Sequence, residues 1–268
     1  MRFITIACAL TLVFWTYTHF KRSPVKIYHG SIPQKVKTIP QILLLNYNDN
    51  FLQKPNATNR YIRDNVLEMI RIHPNWSVVF DDDTQCANKI KQLDFLGDST
   101  LHWFTTDNQY GKYRSDLCRL VQLYISGGLY IDNDVQLLEP WDLIYAAEKC
   151  DFITVKSRPP IKSTFQAIIA ANAQNEIVRE ALLLHRKFAE KKLNVKGMLG
   201  PDLLYMAIQN KKHVCLLQEG IVSSLMKNRH RRGSCDLGVF KGKKVIAYER
   251  VVEYGDHNDL EKKSCFME

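Results

Sequence analysis

An α/β domain built on a mostly parallel central sheet is the fold class this sequence predicts, and three observations predict it. Short apolar runs that read as buried strands alternate with stretches of helical period, and the order strand, helix, strand, helix implies parallel pairing. The chain has 268 residues, 46% of them hydrophobic, enough for one large domain with a buried core and too few for two full domains plus an anchor. No internal repeat or low-complexity tract interrupts the pattern.

The first element is not part of that domain. Phe3 to Phe20 carries no charged side chain apart from His19, with Arg2 before it and Lys21, Arg22 and Lys26 after it. Its eighteen residues are at the short end of a membrane span and exceed most signal-peptide cores, and no small-x-small cleavage site follows. Residues 1–22 therefore read as an uncleaved signal anchor, the basic, proline-containing residues 23–37 as a stem, and 38–268 as one globular domain. The basic excess on the C-terminal flank favours a cytosolic domain by the positive-inside tendency. The acceptor sequons Asn56-Ala-Thr58 and Asn75-Trp-Ser77 favour a lumenal one, and the type II, lumenal orientation is adopted here.

Along the domain, Ile39 to Leu45 reads as a buried first strand. Asn59 to His73 has helical periodicity through Ile62, Val66, Met69 and Ile70, and Pro74 ends it. Trp76 to Phe80 is a second strand, and the acidic run Asp81 to Asp83 caps a helix over 84–93, a better account of three consecutive acids than a second metal motif. Residues 94–112 read as a loop-rich stretch containing Trp103 and Phe104. A helix over 113–126 follows, with apolar residues at 117, 120, 121, 124 and 125. Leu129 to Asp134 is the central strand, Trp141 to Ala147 a short helix, and Phe152 to Val155 another strand. Asn175 to Lys192 and Pro201 to Gln209 are helices, and beyond Lys211 the pattern becomes short strands and basic loops.

The chemistry concentrates where the 113–126 helix meets the central strand. Gly127-Gly-Leu-Tyr-Ile-Asp-Asn-Asp134 is a glycine pair, an apolar strand and two carboxylates spaced i, i+2. Carboxylates so spaced leave a strand tip on the same side and can share one hard cation. Asp116 and Arg119 lie one helical turn apart just upstream, on a helix too apolar for a solvated face. A cation plus a guanidinium is what a protein assembles around a diphosphate. Tyr130 shares the side of Asp132 and Asp134, where it either lines a ligand pocket or packs in the core, and the same two readings hold for Tyr47.

Arg114-Ser-Asp116, Arg119, the Gly127 to Asp134 block and Leu138-Glu-Pro140 together resemble the glycosyltransferase sugar-binding region containing the DXD motif, a family that includes Golgi initiating mannosyltransferases, inositol-phosphoceramide mannosyltransferases and bacterial capsule enzymes. Ile39 to Tyr47 is similar to the family's opening strand, His73 to Asp82 to its second, and Gly200-Pro201 to the Gly-Pro before an acceptor-side helix. The resemblance spans roughly residues 38 to 205 and implies a GT-A-like domain. Two departures stand out: Leu44 occupies a position where a His is usual, and the closing His with Gly-Ser-Trp has only His257 and Ser264-Cys-Phe266 as counterparts.

What the resemblance implies is retaining transfer of a hexose from a UDP- or GDP-sugar to a glycan or glycolipid hydroxyl in the Golgi or endoplasmic reticulum. Asp132, Asp134 and His257 become candidates to hold Mn²⁺ or Mg²⁺. Tyr47, Asp116, Arg119, Tyr130 and Asp132 become candidates to hold the donor, with Asp116, Arg119, Asp132 and Asp134 carrying the reaction. Two readings of other classes stand beside this one. An inactive glycan- or nucleotide-binding relative fits the degenerate C-terminal motif, and a phosphodiester hydrolase fits less well, because a two-metal site needs more ligands than the two aspartates supply.

The net charge of +9 invites a nucleic-acid partner, with Lys227 to Arg232 and Lys241 to Lys244 as the densest clusters. Neither cluster is interleaved with aromatics or set in a nucleic-acid motif, so none is expected. Apart from Cys8, six cysteines remain and admit up to three disulfides of open connectivity; Cys118, on the apolar helix, reads as a buried free thiol. No C-x-x-C occurs, which argues against zinc.

Overall fold

Leu43, Leu44 and Leu45 are all completely buried, and they belong to two different cores. They lie on β1 (Ile42–Asn46), where successive side chains leave opposite faces of the sheet. Leu43 and Leu45 meet α1 (Arg60–Ile72) through Val66 and Met69. Leu44 meets α4 (Gly111–Ser126) through Leu117, Leu120 and Val121. A strand buried on both sides has no use for polar alternation, which is why β1 is a continuous apolar run. The computed structural model describes residues 39–53, 60–106, 111–145, 150–222 and 237–249. The expected anchor and stem, the Asn56 sequon, the 227–232 cluster, Cys235, Cys265 and His257 lie outside the described residues. Among the described residues no helix is long and apolar enough to cross a membrane.

The other strands are β2 (Ser77–Asp81), β3 (Gly128–Ile131), β4 (Val135–Leu137), β5 (Phe152–Lys156), β6 (Thr164–Ala171), β7 (Val214–Ile221), β8 (Leu237–Lys241) and β9 (Lys244–Glu249). Among the described residues they form one nine-stranded sheet in the order β2-β1-β3-β6-β5-β7-β8-β9-β4. The α/β class is as expected, but the sheet is mixed, not mostly parallel. The β1–β2, β1–β3 and β5–β7 pairs are parallel; the β3–β6, β5–β6, β7–β8, β8–β9 and β4–β9 pairs are antiparallel. The connection between β5 and β6 is too short for a parallel crossover, which enforces the reversal.

Three readings along the chain are corrected. The stretch from 94 holds a short 3₁₀ turn (Asp94–Leu96) and α3 (Gly97–Thr106), whose Thr100 and Phe104 are buried one turn apart. Its first turn, Gly-Asp-Ser-Thr, has the composition of a loop, and the packing overrides it. The central strand ends at Ile131, and Asp132 to Asp134 forms a turn before β4. Cys118 is not a free thiol: it bonds Cys86 of α2 (Asp83–Lys91), with the two Cα atoms 5.5 Å apart. A second disulfide joins Cys150 to Cys215, with Cα atoms 5.9 Å apart. The remaining helices are α5 (Trp141–Tyr145), α6 (Glu176–Ala189) and α7 (Leu199–Ile208). The strand β6 escaped the sequence reading although Ile168, Ile169, Ala170 and Ala171 are all completely buried.

The placement of β4 positions the site. It follows β3 after three residues yet pairs with β9 at the opposite end of the strand order. Four Cα steps of about 3.8 Å cannot span a flat sheet of that width, so the sheet curls until its far edge returns beside β3. The turn carrying the candidate metal ligands Asp132 and Asp134 sits at that closure.

Gly127 and Gly128 make the sharp passage from α4 into β3, with φ values of 64° and 116°. A Cβ on Gly128 would lie 2.5 Å from the Ile42 carbonyl oxygen on the neighbouring strand. Gly128→Ala is therefore expected to cost more than about 2 kcal/mol in denaturant unfolding, through strain and strand displacement together.

Candidate active site

The site begins with a polar stripe on an otherwise buried helix. Ser115 and Asp116 lie four and three residues before Arg119 on α4, Gln122 lies three after it, and Asp116, Arg119 and Gln122 are buried. Gln122 Nε2 donates to the Leu45 carbonyl at 2.9 Å, tying the stripe to β1. Arg119 is the centre of the arrangement. Its Nη1 donates to the Gln166 carbonyl at 2.9 Å and lies 3.2 Å from Asp132 Oδ1. Its Nη2 reaches Ser115 Oγ at 3.1 Å and Asp116 Oδ1 at 3.2 Å, and its guanidinium carbon sits 4.6 Å from the Tyr130 ring centre. Burial opposes this charge, but Asp132, Tyr130, Asp116 and Asp134 outweigh it and drive the guanidinium pKa up.

Each neighbour has a distinct state. Burial pushes the Asp116 carboxyl up to about 6, Arg119 pulls it down, Asp132 adds repulsion, and the Gly200 N–H helps to pull it down. Gly200 fits closely here, because any Cβ at that position would overlap the Asp116 carboxyl. Gln166 Nε2 donates to the Gly200 carbonyl at 2.6 Å, so α7 is held to β6 beside Asp116. Burial also raises the Tyr130 phenol pKa well above its usual range; the protonated hydroxyl donates to Asp132 Oδ1 at 2.6 Å. Of the two readings of Tyr130, the ring is in the core and its hydroxyl is in the site.

The turn itself is built from amides. Asp132 N–H bonds the Ala167 carbonyl at 2.8 Å, and Val135 N–H closes the turn on the Asp132 carbonyl at 3.0 Å. Asn65, on α1, donates from Nδ2 to the carbonyls of both Asn133 and Val135 at 2.8 Å, which brackets Asp134. Asn133 Nδ2 donates to the Asn46 carbonyl at 2.8 Å, and Ser115 Oγ donates to Asn46 Oδ1 at 2.7 Å. The ring of hydrogen bonds thus runs from α1 through the turn and β1 back to α4. Asp132 is engaged by Arg119 and Tyr130. Asp134 has its own backbone N–H, and burial followed by the charge of Asp132 pushes its carboxyl up to about 7. Two oxygen ligands under mutual repulsion suit a hard divalent cation such as Mg²⁺ or Mn²⁺.

The other acids behave as capping groups. Asp82 caps α2 in a reciprocal pair with Gln85, Asp81 pairs with Lys89, and Asp83 lies 3.1 Å from Arg114. Asp81 does lie close to Cys86 and Cys118, but both sulfurs are committed to their disulfide. Tyr47 follows Asn46 directly and packs edge-on against Phe51 at 5.4 Å. The structure therefore brings Asp116, Arg119, Tyr130, Asp132 and Asp134 together, with Tyr47 one residue from the amide ring, while His257 lies outside the described residues.

Residues 59–151 match the family described as the glycosyltransferase sugar-binding region containing DXD motif. That segment contains α4 and the Asp132 to Asp134 turn. No curated protein matches the chain. Among solved structures, the PaToxG glycosyltransferase is similar at 16% identity and a TM-score of 0.44, over 63% of this chain and 69% of that one. Mouse xyloside xylosyltransferase 1 is similar at 11% identity and 0.42, over 65% and 84%. The galactosyltransferase LgtC, solved with donor and acceptor sugar analogues, is similar at 12% identity and 0.38, over 65% and 72%.

The sequence reading missed Asn65, Asn133 and Gln166 as site builders. Asn65 interrupts the apolar stripe between Ile62 and Val66, and Gln166 interrupts the apolar run of β6; an amide at a core-facing position was the available signal. The raised carboxyls make a pH prediction. An unfolded aspartate loses its proton near 3.8, whereas Asp134 in the fold keeps it to about 7, so ionising this group destabilises the metal-free protein as pH rises from about 4 through about 7. Asp134→Asn removes that cost. Differential scanning calorimetry of the metal-free variant is expected to show a midpoint a few degrees above the parent near pH 8 and no gain near pH 4.

Proposed function

We propose that this protein is a metal-dependent, retaining glycosyltransferase that moves a hexose from a nucleoside diphosphate sugar to a hydroxyl of a glycan or glycolipid. The observation that carries the reading is the chain Asp116, Arg119, Asp132, with Asp134 beside it and, among the described residues, not paired to a cation, inside a segment that matches the DXD sugar-binding region. In this proposal Asp134 and Asp132 hold Mn²⁺ or Mg²⁺, which supplies positive charge against the diphosphate of a UDP- or GDP-sugar.

The protein's own residues then have separate tasks. Arg119 has its donors engaged by Ser115, Asp116, Asp132 and the Gln166 carbonyl, so the geometry favours a positioning role: it fixes Asp132 and keeps two neighbouring carboxylates compatible. In this reading Asp116, beside Gly200, accepts hydrogen bonds from donor hydroxyls, and Tyr130 orients Asp132. Transfer forms a bond from the acceptor oxygen to the anomeric carbon and breaks the bond from that carbon to the diphosphate oxygen. The electron pair leaves with the diphosphate, which takes the acceptor proton.

A lumenal domain anchored in the Golgi or endoplasmic reticulum is part of the proposal. Two disulfides among the described residues support an oxidising compartment, and Asn75 of the second sequon is exposed. The test is a donor-hydrolysis screen across UDP- and GDP-hexoses with Mn²⁺, Mg²⁺ or chelator, using Asp134→Ala as the paired control. Release of sugar from one donor, abolished by chelation and reduced by roughly a hundredfold or more in Asp134→Ala, is the expected result. Nucleotide binding without release from any donor would replace this reading with that of an inactive binding protein.

A further inference from the structure

Thr100 and Phe104 commit one face of α3 to the core, and a second face is left for other uses. On that face Ser99 lies three and four residues before His102 and Trp103, and Thr106 four and three after them. It is turned toward the end of α6. Arg186 of α6 joins the two elements, its Nη1 donating to the Phe95 carbonyl at 3.0 Å just before α3. Trp103 meets Phe188 of α6 at right angles, with ring centres 6.1 Å apart. Between the helices lies an open hollow of about 460 Å³, a volume ordinary for a small-ligand site. Asp98, Ser99, His102, Trp103 and Thr106 line it from α3, and Lys191 lines it just past α6.

The polar groups of this lining are not used by the fold. Among the described residues the Asp98 carboxylate, Ser99 hydroxyl, His102 ring, Trp103 indole N–H and Lys191 ammonium make no hydrogen bond or ion pair. Thr106 Oγ1 donates to the His102 carbonyl at 2.6 Å, which leaves its lone pairs to the hollow. Trp103 is half-buried, and an indole taken partly out of water usually finds a partner for its N–H.

From this juxtaposition we infer that the hollow between α3 and the end of α6 is a second binding site, and that its ligand is a neutral saccharide. The indole offers an apolar surface to the C–H face of a pyranose, while the carboxylate, hydroxyl and imidazole groups around it exchange hydrogen bonds with sugar hydroxyls. Asp98 repels an anion and Lys191 a cation, so a charged ligand of either sign meets a like charge. A wholly apolar ligand would take water from these polar groups and return nothing. None of the lining residues belongs to the site around Arg119, and binding in the hollow does not require the transferase reading. Both walls nevertheless lead into that site: Thr106 precedes Asp116 by ten residues, Lys191 precedes Gly200 by nine, and Gly200 lies against Asp116. The covalent path to the start of α4 and along its first turns keeps Thr106 within about 27 Å of Asp116, so one glycan of several units can occupy both places.

The experiment is calorimetric titration of the full chain, in a detergent without a sugar headgroup and with neither nucleotide nor added metal. The probes are mannobiose, lactose, maltose and chitobiose, with glucose 6-phosphate as the anionic comparison, against the parent, Asp98→Ala, Trp103→Phe and Asp134→Ala. Asp98 is exposed, and phenylalanine keeps an aromatic ring beside Phe188, so both hollow variants should unfold close to the parent's thermal midpoint. The expected result is saturable binding of at least one disaccharide, weakened roughly tenfold or more in Asp98→Ala and in Trp103→Phe and unchanged in Asp134→Ala. No saturable binding of any disaccharide, equal affinity in the parent and both hollow variants, or preference for glucose 6-phosphate overturns the inference. A loss confined to Asp134→Ala would put the saccharide in the site around Arg119 and overturn it as well. Each of these outcomes leaves the donor-hydrolysis result, and with it the transferase reading, to stand or fall separately.

Discussion

A guanidinium almost wholly enclosed by protein has to be balanced by its surroundings, and the arrangement around Arg119 is that balance. Removing a charge from water costs several kcal/mol unless partners of opposite sign and full hydrogen bonding replace the solvent. Asp116 and Asp132 supply the charge, and the Ser115 and Gln166 oxygens take the remaining N–H groups. Those partners come from three parts of the chain: the first turns of α4, the turn after β3, and the first half of β6. The ion cluster therefore locks the relative positions of a helix and two strands. The same enclosure that makes Arg119 a structural pin leaves Asp116 and Asp134 poorly solvated, which raises both carboxyls.

The amide ring complements this with neutral groups. Asn65, Asn133 and Asn46 hold the backbone of the turn without adding charge, so the two aspartates can be brought close without further electrostatic cost. Carboxylates packed against one another would splay if the backbone beneath them were free. Here each flank of Asp134 is tied to α1, and α1 is fixed by Val66 and Met69 in the core.

The elements legible in the sequence were those with a strong local signature. β1, α1, β2, α2 and α4 were recovered because apolar period, a terminating proline or an acidic cap marks each one, and Asp116, Arg119, Asp132 and Asp134 were singled out by their spacing together with the family resemblance. What was illegible depends on long-range pairing. The antiparallel partner of β3 is β6, some forty residues downstream, and nothing local in its apolar run gives direction. Cys86 and Cys118 are separated by 32 positions and meet only because α2 packs on α4. α3 was hidden by a first turn of loop-like composition. Gln166 and Asn65 gave a signal, a polar amide in an apolar stripe, that becomes meaningful only when the backbone groups it satisfies are known.

The closure of the sheet has a kinetic side. Gln136 on β4 is paired with Tyr248 on β9, more than a hundred residues away, whereas β3 is seated between β1 and β6. Contacts of such separation form only after the intervening chain is organised, since the loop entropy must be met first. The carbonyl side of the Asp132 to Asp134 turn is therefore completed only once the β8–β9 hairpin is in place beside β4. A chain still emerging during synthesis holds Asp132 and Asp134 on a half-anchored turn until the β8–β9 segment has followed, so these two carboxylates are not held in their final geometry on a chain that lacks it.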